Sequence, residues 1–329
     1  MLPIDAVALE TLLARVQKPG RYVGQEWNSV TKEWAQAEVT LALAYPDIYE
    51  IGMSNLGLGL LYDLVNRDPR FLAERAYAPW VDMDAAMQAA GLPLFSLESR
   101  RPLRAFDVLG FSLQYELTYS NVLTMLARGG VPLWSAERSA ADPLVIAGGS
   151  CCYNPEPLAD FIDLFVIGEG EEALLELLAC VADWKRAGGK ARPDGRAALL
   201  REAAQIPGVY VPSLYDVTYH DDGTLASIAP NDPRAPAQVR KRIMPTLGPV
   251  PTRPIVPNIE IVHDRAMVEI QRGCSRGCRF CQAGMIYRPI RERPVEETLQ
   301  AIDALLASTG YDEVSLVSLS SSDHSGIAD

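Results

Sequence analysis

From Val39 onward, short apolar runs alternate with amphipathic stretches, and this rhythm constrains the fold more than any other feature of the chain. AEVTLALAYP is followed by LGLGLLYDLVN, where Leu60, Leu61, Leu64 and Val65 recur at helical spacing. ERAYAPW reads as a second, weaker strand ahead of VDMDAAMQAA, an acidic helix start that Gly91 ends. DVLGFSL and YSNVLTMLARGG make the third pair, with Gly129–Gly130 as the stop; PLVIAGG is a fourth strand, and DLFVIGEG is a fifth that leads into EEALLELLACVADW. Such alternation predicts an α/β domain, a doubly wound parallel sheet covered on both faces. Ligands of such sheets lie beyond the carboxyl ends of the strands.

The pattern changes on either side. Residues 1–36 predict a short helix, from Asp5 to about Val16, and a polar loop; the α/β domain is assigned to 37–184. Between 185 and 262 the rhythm breaks. WKRAGGKARPDGRAA is loop-like, GVYVPSLYDVTYHDDGTLASIAP reads as a β-hairpin turning at Asp221-Asp222-Gly223, and Asn231 through Asn258 forms a Pro- and Arg-rich connector. A new unit fills 263–329, with AMVEIQ as a strand followed directly by a cysteine loop. Pro294 suits the first helical position, Glu296 and Glu297 complement the dipole, and Leu299, Ile302, Leu305 and Leu306 give an apolar stripe that Gly310 terminates. DEVSLVSLSSS is the next strand. With little more than two strands before Ile327-Ala328-Asp329, this unit is expected to be the first part of a larger barrel, cut short.

A length of 329 residues suits two domains, and 48% apolar with 22% charged residues suits a globular chain with a sizeable core. No stretch approaches twenty uninterrupted apolar residues, so no membrane span is expected. The N-terminus, MLPIDAVALETLLARVQKPGRY, has early acidic residues and no long apolar run, which points to a cytoplasmic location. The net charge of −12 weighs against nucleic acid as a partner, since phosphate affinity comes from lysine and arginine.

Six cysteines in a chain without a secretory signal point to metal binding or chemistry rather than disulfides. Cys180 lies among apolar helix residues and reads as core, and a structural role is favoured for vicinal Cys151 and Cys152. Cys274, Cys278 and Cys281 stand as C-x-x-x-C-x-x-C in EIQRGCSRGCRFCQAGM, directly after a strand. Three thiolates hold three irons of a cubane and leave the fourth open, whereas an electron-transfer cluster usually takes four cysteines. Structural zinc is the competing reading; it needs four ligands, and nothing in the sequence places His263 or Cys152 as the fourth. Arg265, Arg272, Arg276, Arg279, Arg288, Arg291 and Arg293 surround the loop. Together they offset cluster charge or hold an anionic group, although each taken singly reads first as part of a solvated basic face.

This run resembles the radical S-adenosylmethionine superfamily, and Phe280, just before the third cysteine, matches that family's pattern. The resemblance implies a partial TIM barrel whose [4Fe–4S] cluster is held by Cys274, Cys278 and Cys281. Its open iron chelates S-adenosylmethionine, one electron cleaves the sulfonium, and the 5′-deoxyadenosyl radical abstracts hydrogen from a substrate. An electron donor such as flavodoxin or ferredoxin is the implied partner. Family members often hold the cofactor's methionine amine with Gly-Gly-Glu past the second strand. Here that place reads Ser318-Leu319-Ser320-Ser321-Ser322, so Ser318 and Ser320 become the candidates, and His324 after them reads as a loop residue.

The α/β domain resembles the cobalamin-binding domain that precedes many such barrels, and YPDIYEIGMSNLGLGLLYDLVN is typical of one family built this way. Members commonly carry Asp-x-His-x-x-Gly, Ser-x-Leu and Gly-Gly elements. Here these correspond to Asp47, Tyr49 and Gly52, then Ser112, then Gly148 and Gly149. Tyrosine replaces the histidine that ligates cobalt from below, so the cradle holds cobalamin without an axial histidine or holds nothing. GEGEE at 168–172 also matches the group, but acidic residues at a helix start are explained by the dipole. No substrate or catalytic residue is implied. The expectation is a radical S-adenosylmethionine enzyme, cobalamin-assisted methylation being one form. The alternative is a non-catalytic corrinoid or iron–sulfur module from a truncated copy.

Overall fold

The computed structural model describes residues 2–328, so Asp329 at the chain's end lies outside them. A six-stranded sheet organises the first two thirds of the chain. Its strands are β1 (Val39–Tyr45), β2 (Phe71–Tyr77), β3 (Val108–Ser112), β4 (Leu144–Gly148), β5 (Leu164–Val166) and β6 (Val209–Tyr210), in the order β2-β1-β3-β4-β5-β6. The first five strands are parallel, and β6 runs antiparallel to β5. Every residue of β1 is buried, as expected of a central parallel strand covered on both faces.

Nine helices complete the described residues: α1 (Ala6–Leu13), α2 (Tyr49–Met53), α3 (Leu56–Arg67), α4 (Val81–Ala90), α5 (Tyr119–Arg128), α6 (Glu171–Arg186), α7 (Gly195–Ala203), α8 (Ala283–Ile286) and α9 (Val295–Thr309). The period-2 alternation of β1 sends Leu41 and Leu43 into one core with Leu58 of α3 and Leu177 of α6. Ala42 and Ala44 go to the other core, with Met83 of α4 and Met125 of α5. The doubly wound architecture follows from this division. Asp5 caps α1 by accepting from the Val7 and Ala8 amides, and that helix ends short of Val16.

Two readings are corrected. The stretch after residue 184 is not loop throughout, because α7 buries Leu199 and Ala203 in the first core and β6 extends the sheet. The Gly- and Pro-rich run ahead of RAALLREA masks that short helix, and the α/β domain therefore continues past Tyr210 instead of stopping at 184. In α9, Ile302, Leu305 and Leu306 pack into the last unit's core as expected, beside Ala301, whereas Leu299 is 55% exposed and stands off it. Pro294 sits one residue earlier than expected, as an extended N-cap.

The hairpin forms as β7 (Tyr215–Tyr219) and β8 (Leu225–Pro230). The connector after it is pinned to the first domain: Arg242 bridges to Gly168 and forms ion pairs with Glu172 and Glu176. In the last unit β9 (Ala266–Glu269) pairs in parallel with β12 (Val314–Val317) across α9, a single βαβ unit. Between them β10 (Gln271–Arg272) and β11 (Arg291–Glu292) form a two-residue antiparallel ribbon, and the cysteine loop is what that ribbon encloses.

Candidate functional site

The carboxyl ends of both sets of strands meet at one cavity of about 440 Å3. The first sheet contributes Ser112, Gln114, Gly148, Gly149 and the 168–171 turn, and α3 contributes its apolar N-terminal half. Opposite lie Glu269, Gln271, Arg272 and Gly273, the last adjacent to Cys274, with Tyr287 and Ser318. The volume falls in the range of sites for small organic ligands, about 300–1,000 Å3.

Four of the predicted residues line it: Ser112, Gly148, Gly149 and Ser318. A Cβ on Gly148 would meet nothing within 4 Å, so the open space beside this backbone belongs to the cavity. Gly149 is required by conformation, with φ of 109° and a virtual Cβ 2.4 Å from the Leu113 carbonyl oxygen. The Ser112 hydroxyl accepts from Gln114 Nε2 at 3.1 Å, and Ser150 Oγ donates to Gln114 Oε1 at 3.2 Å. Gln114 thus belongs to the wall, at the position where Ser-x-Leu would place leucine.

Asp47, Tyr49 and Gly52 do not reach the cavity. Tyr49 is 1% exposed and donates its hydroxyl to Glu26 Oε1 at 3.1 Å. Burial first, then the Glu26 charge, holds its proton well above the ordinary tyrosine range. Glu26 pairs with fully buried Arg75 at 2.8 Å, and Arg75 with Glu98 at 2.7 Å. Gly52 makes room for the Tyr77 ring, whose Cε1 lies 2.2 Å from its virtual Cβ. Asp47 accepts the Ile48 amide at 2.7 Å. The segment at the family's cobalt-ligand position therefore builds core, and among the described residues no histidine lines the cavity.

In the cysteine loop Cys278 is exposed, Cys274 and Cys281 are half-buried, and none is in a disulfide. Phe280 is 91% exposed. Arg276, between the first two cysteines, donates through Nε to Asp323 at 2.6 Å, and Ser320 Oγ donates to the same carboxylate at 2.7 Å. These contacts, the Arg276 hydrogen bond foremost, hold the Asp323 carboxyl down at about 2. Ser320 stands outside the cavity, tying the serine segment to the cysteine loop. Ser318 shares a hydrogen bond with Ser321 at 2.9 Å. His324 is buried, its Nε2 3.0 Å from the Arg293 carbonyl oxygen.

The arginines are not one solvated face. Arg279 and Arg288 are exposed, but Arg291 and Arg293 are buried and Arg272 is nearly so. Arg272 meets Glu171 at 2.7 Å and Glu269 at 2.9 Å, while Arg291 meets Glu169 at 2.7 Å. GEGEE was legible as a helix start; its partnership with arginines about a hundred residues downstream carries no local signal. Among the described residues no three or more His, Cys, Asp or Glu side chains are grouped to hold a single metal ion, and neither His263 nor Cys152 joins the loop thiols. No helix among them is long and apolar enough to cross a membrane.

Comparison with known proteins gives two family matches: residues 57–212 match the family described as radical SAM proteins, N-terminal, and residues 268–329 match the radical SAM superfamily. An uncharacterized protein of Methanocaldococcus jannaschii is 22% identical over 295 residues, covering 88% of this chain and 51% of its own length. The ribosomal protein uS12 methylthiotransferase RimO of Desulfotalea psychrophila is 40% identical over 53 residues, 16% of this chain and 12% of that protein. The chain thus spans about half the length of the first of these relatives. A solved structure of the radical S-adenosylmethionine methyltransferase TsrM from Kitasatospora setae, with cobalamin and a [4Fe–4S] cluster bound, superposes with a TM-score of 0.46 and 14% identity, covering 85% of this chain and 49% of that one.

Proposed function

The chain belongs to the radical S-adenosylmethionine superfamily, and from that premise we propose that it is an enzyme working through a [4Fe–4S] cluster on Cys274, Cys278 and Cys281. The observation that carries the reading is a loop of three unpaired thiols whose neck, at Arg272 and Gly273, forms one wall of a cavity built on strand carboxyl ends. The donor set fits: soft thiolates select iron–sulfur clusters, and three of them would leave one iron of a cubane open. Held by Cys274, Cys278 and Cys281, such a cluster would supply the electron for reductive cleavage of S-adenosylmethionine.

The chain's own residues bind and shield. Gly148 leaves space beside the backbone, and α3 lines the cavity with Leu56, Leu58, Leu60 and Leu61. Three carboxylates, Glu169, Glu171 and Glu269, surround Arg272 at the polar end. Arg291 also pairs with Glu169, so these charges are largely answered within the protein, and Ser318 offers a hydroxyl to the cavity nearby. The test is anaerobic reconstitution with iron and sulfide, followed by electron paramagnetic resonance with and without S-adenosylmethionine. A reduced-cluster signal that shifts on adding the cofactor is expected, and a signal indifferent to it overturns the reading.

A corrinoid in the same cavity is the second reading, favoured by the open space beside Gly148. With Tyr49 withdrawn into the core, any such corrinoid lacks a ligand from that position. Titration with cobalamin should change its absorbance at micromolar protein; an unchanged spectrum at high micromolar corrinoid removes this reading and leaves the first intact.

A further inference from the structure

Arg272 and Arg291 stand directly opposite one another in the β10–β11 ribbon, at the neck of the cysteine loop. Like charges facing across an antiparallel pair repel, and here both are largely withdrawn from water, with side chains 14% and 7% exposed. One carboxylate from the other domain answers both. Glu169 Oε1 lies 2.7 Å from Arg291 Nη2, and its Oε2 accepts from Arg291 Nη1 at 3.0 Å and stands 3.5 Å from Arg272 Nη1. The same oxygen accepts the Met244 amide, so the connector is drawn in as well. Gly168, just before it, has φ of 103° and a virtual Cβ 2.3 Å from the Arg242 carbonyl oxygen. The backbone passes too close there for any side chain, and this approach delivers Glu169 to the ribbon.

From this convergence we infer that Glu169 is a positioning residue, which clamps the neck of the cysteine loop to the carboxyl end of β5 through Arg272 and Arg291. Other anchors are the Glu171 carboxylate on Arg272 at 2.7 Å, the Arg276–Asp323 pair, the Tyr153 hydrogen bond to the Ile286 carbonyl oxygen, and the Lys241 hydrogen bonds to the Ile286 and Arg288 carbonyl oxygens; among the described carboxylates, Glu169 is the one that reaches both arginines of the neck. Glu169 therefore helps to set where the neck of the loop, with Cys274 next to it, stands against the cavity wall at Arg272 and Gly273. The inference rests on the proposed cluster site for its catalytic consequence only; the geometry of the clamp is independent of it.

The test uses the full chain, iron-free and reduced. Alkylation of Cys274 and Cys281 by iodoacetamide and amide hydrogen exchange across 273–290 report on the loop, and buried Cys152 reports on the sheet. Glu169→Gln keeps the shape and removes the charge, and it should accelerate alkylation of both loop thiols by at least about tenfold with Cys152 still protected. Arg291→Gln should do the same and add little to Glu169→Gln, as members of one cluster do. Glu169→Asp, which keeps the charge on a shorter arm, should recover part of the protection. Loop rates within about twofold of the parent chain, with Cys152 protected, overturn the clamp. If Glu169→Gln also exposes Cys152, Glu169→Asp and Arg291→Lys decide by the same criterion. Because iron is absent throughout, the clamp can fail while the cluster assignment stands, and reconstitution can fail while the clamp holds.

Discussion

The segments that flank the cavity on its two sides carry the same kind of side chain in opposite settings, although no cysteine is among the described residues that line it. On the sheet side, Gly149 leads directly into Cys151 and Cys152, which are 5% and 1% exposed between packed cores. Burial pushes both thiols up, Cys152 most of all. On the loop side Cys278 is exposed, and the cysteines lie on backbone with no strand or helix of its own, held by a two-residue ribbon and a few ion pairs. A thiol becomes a ligand or nucleophile through its thiolate, which an apolar core suppresses and a solvated loop permits. One wall is scaffold with inert sulfur. The other leaves its sulfur available and therefore needs anchoring from outside.

Iron content after reconstitution offers the largest effect by which to break this contrast. Cys278→Ala should lose essentially all cluster iron, while Cys152→Ala should keep the parent content; equal losses in both would mean that the sheet wall takes part in the metal site. Next in size is reactivity. At pH 8 the apoprotein's Cys278 should alkylate at least about a hundredfold faster than Cys152, because a buried thiol reacts only when the structure opens. Comparable rates, read by mass spectrometry of the labelled peptides, would show that the sheet wall opens as readily as the loop.

Legibility divides along the same line. The strands and helices of the first sheet could be read because their period-2 and period-3.6 patterns are local, and the cysteine spacing is local too. What escaped notice is pairing at a distance. Tyr49 looked like an altered cobalt ligand because its position in the motif was visible, but its true partner, Glu26, lies 23 residues upstream and belongs to a network completed by Arg75 and Glu98. Arg272 and Arg291 looked like solvated charge because Glu169 is more than a hundred residues away. The helix α7 was hidden for a different reason: strong glycine and proline punctuation ahead of it outweighed eight ordinary helix-forming residues.

Tyr49 also sharpens the comparison from the scaffold side, with a smaller effect. Tyr49→Phe removes a buried hydroxyl that donates to Glu26 and leaves that carboxylate its bonds to Arg75. The expected cost is about 1 kcal/mol of unfolding free energy, read by urea denaturation. Cobalamin absorbance changes, where the parent chain gives them, should be the same in the variant. A weakened corrinoid response at unchanged stability would return Tyr49 to the cavity and contradict its burial.

Cys180 is the intermediate case and offers the smallest effect. It lies half-buried on α6 outside the cavity, and desolvation, reinforced by the charges of Glu202 and Asp183, pushes its thiol up to about 11. An unfolded cysteine titrates near 8.5, so the folded state favours the protonated form. That contribution to stability is fully present below about 8.5 and is lost as pH rises through about 11. Its alkylation rate should accordingly be half-maximal at about 11. Cys180→Ala should flatten part of the stability decline between those two pH values. A midpoint near 8.5 would place Cys180 with freely solvated thiols, and partial burial on a helix would then be too little to separate scaffold sulfur from loop sulfur.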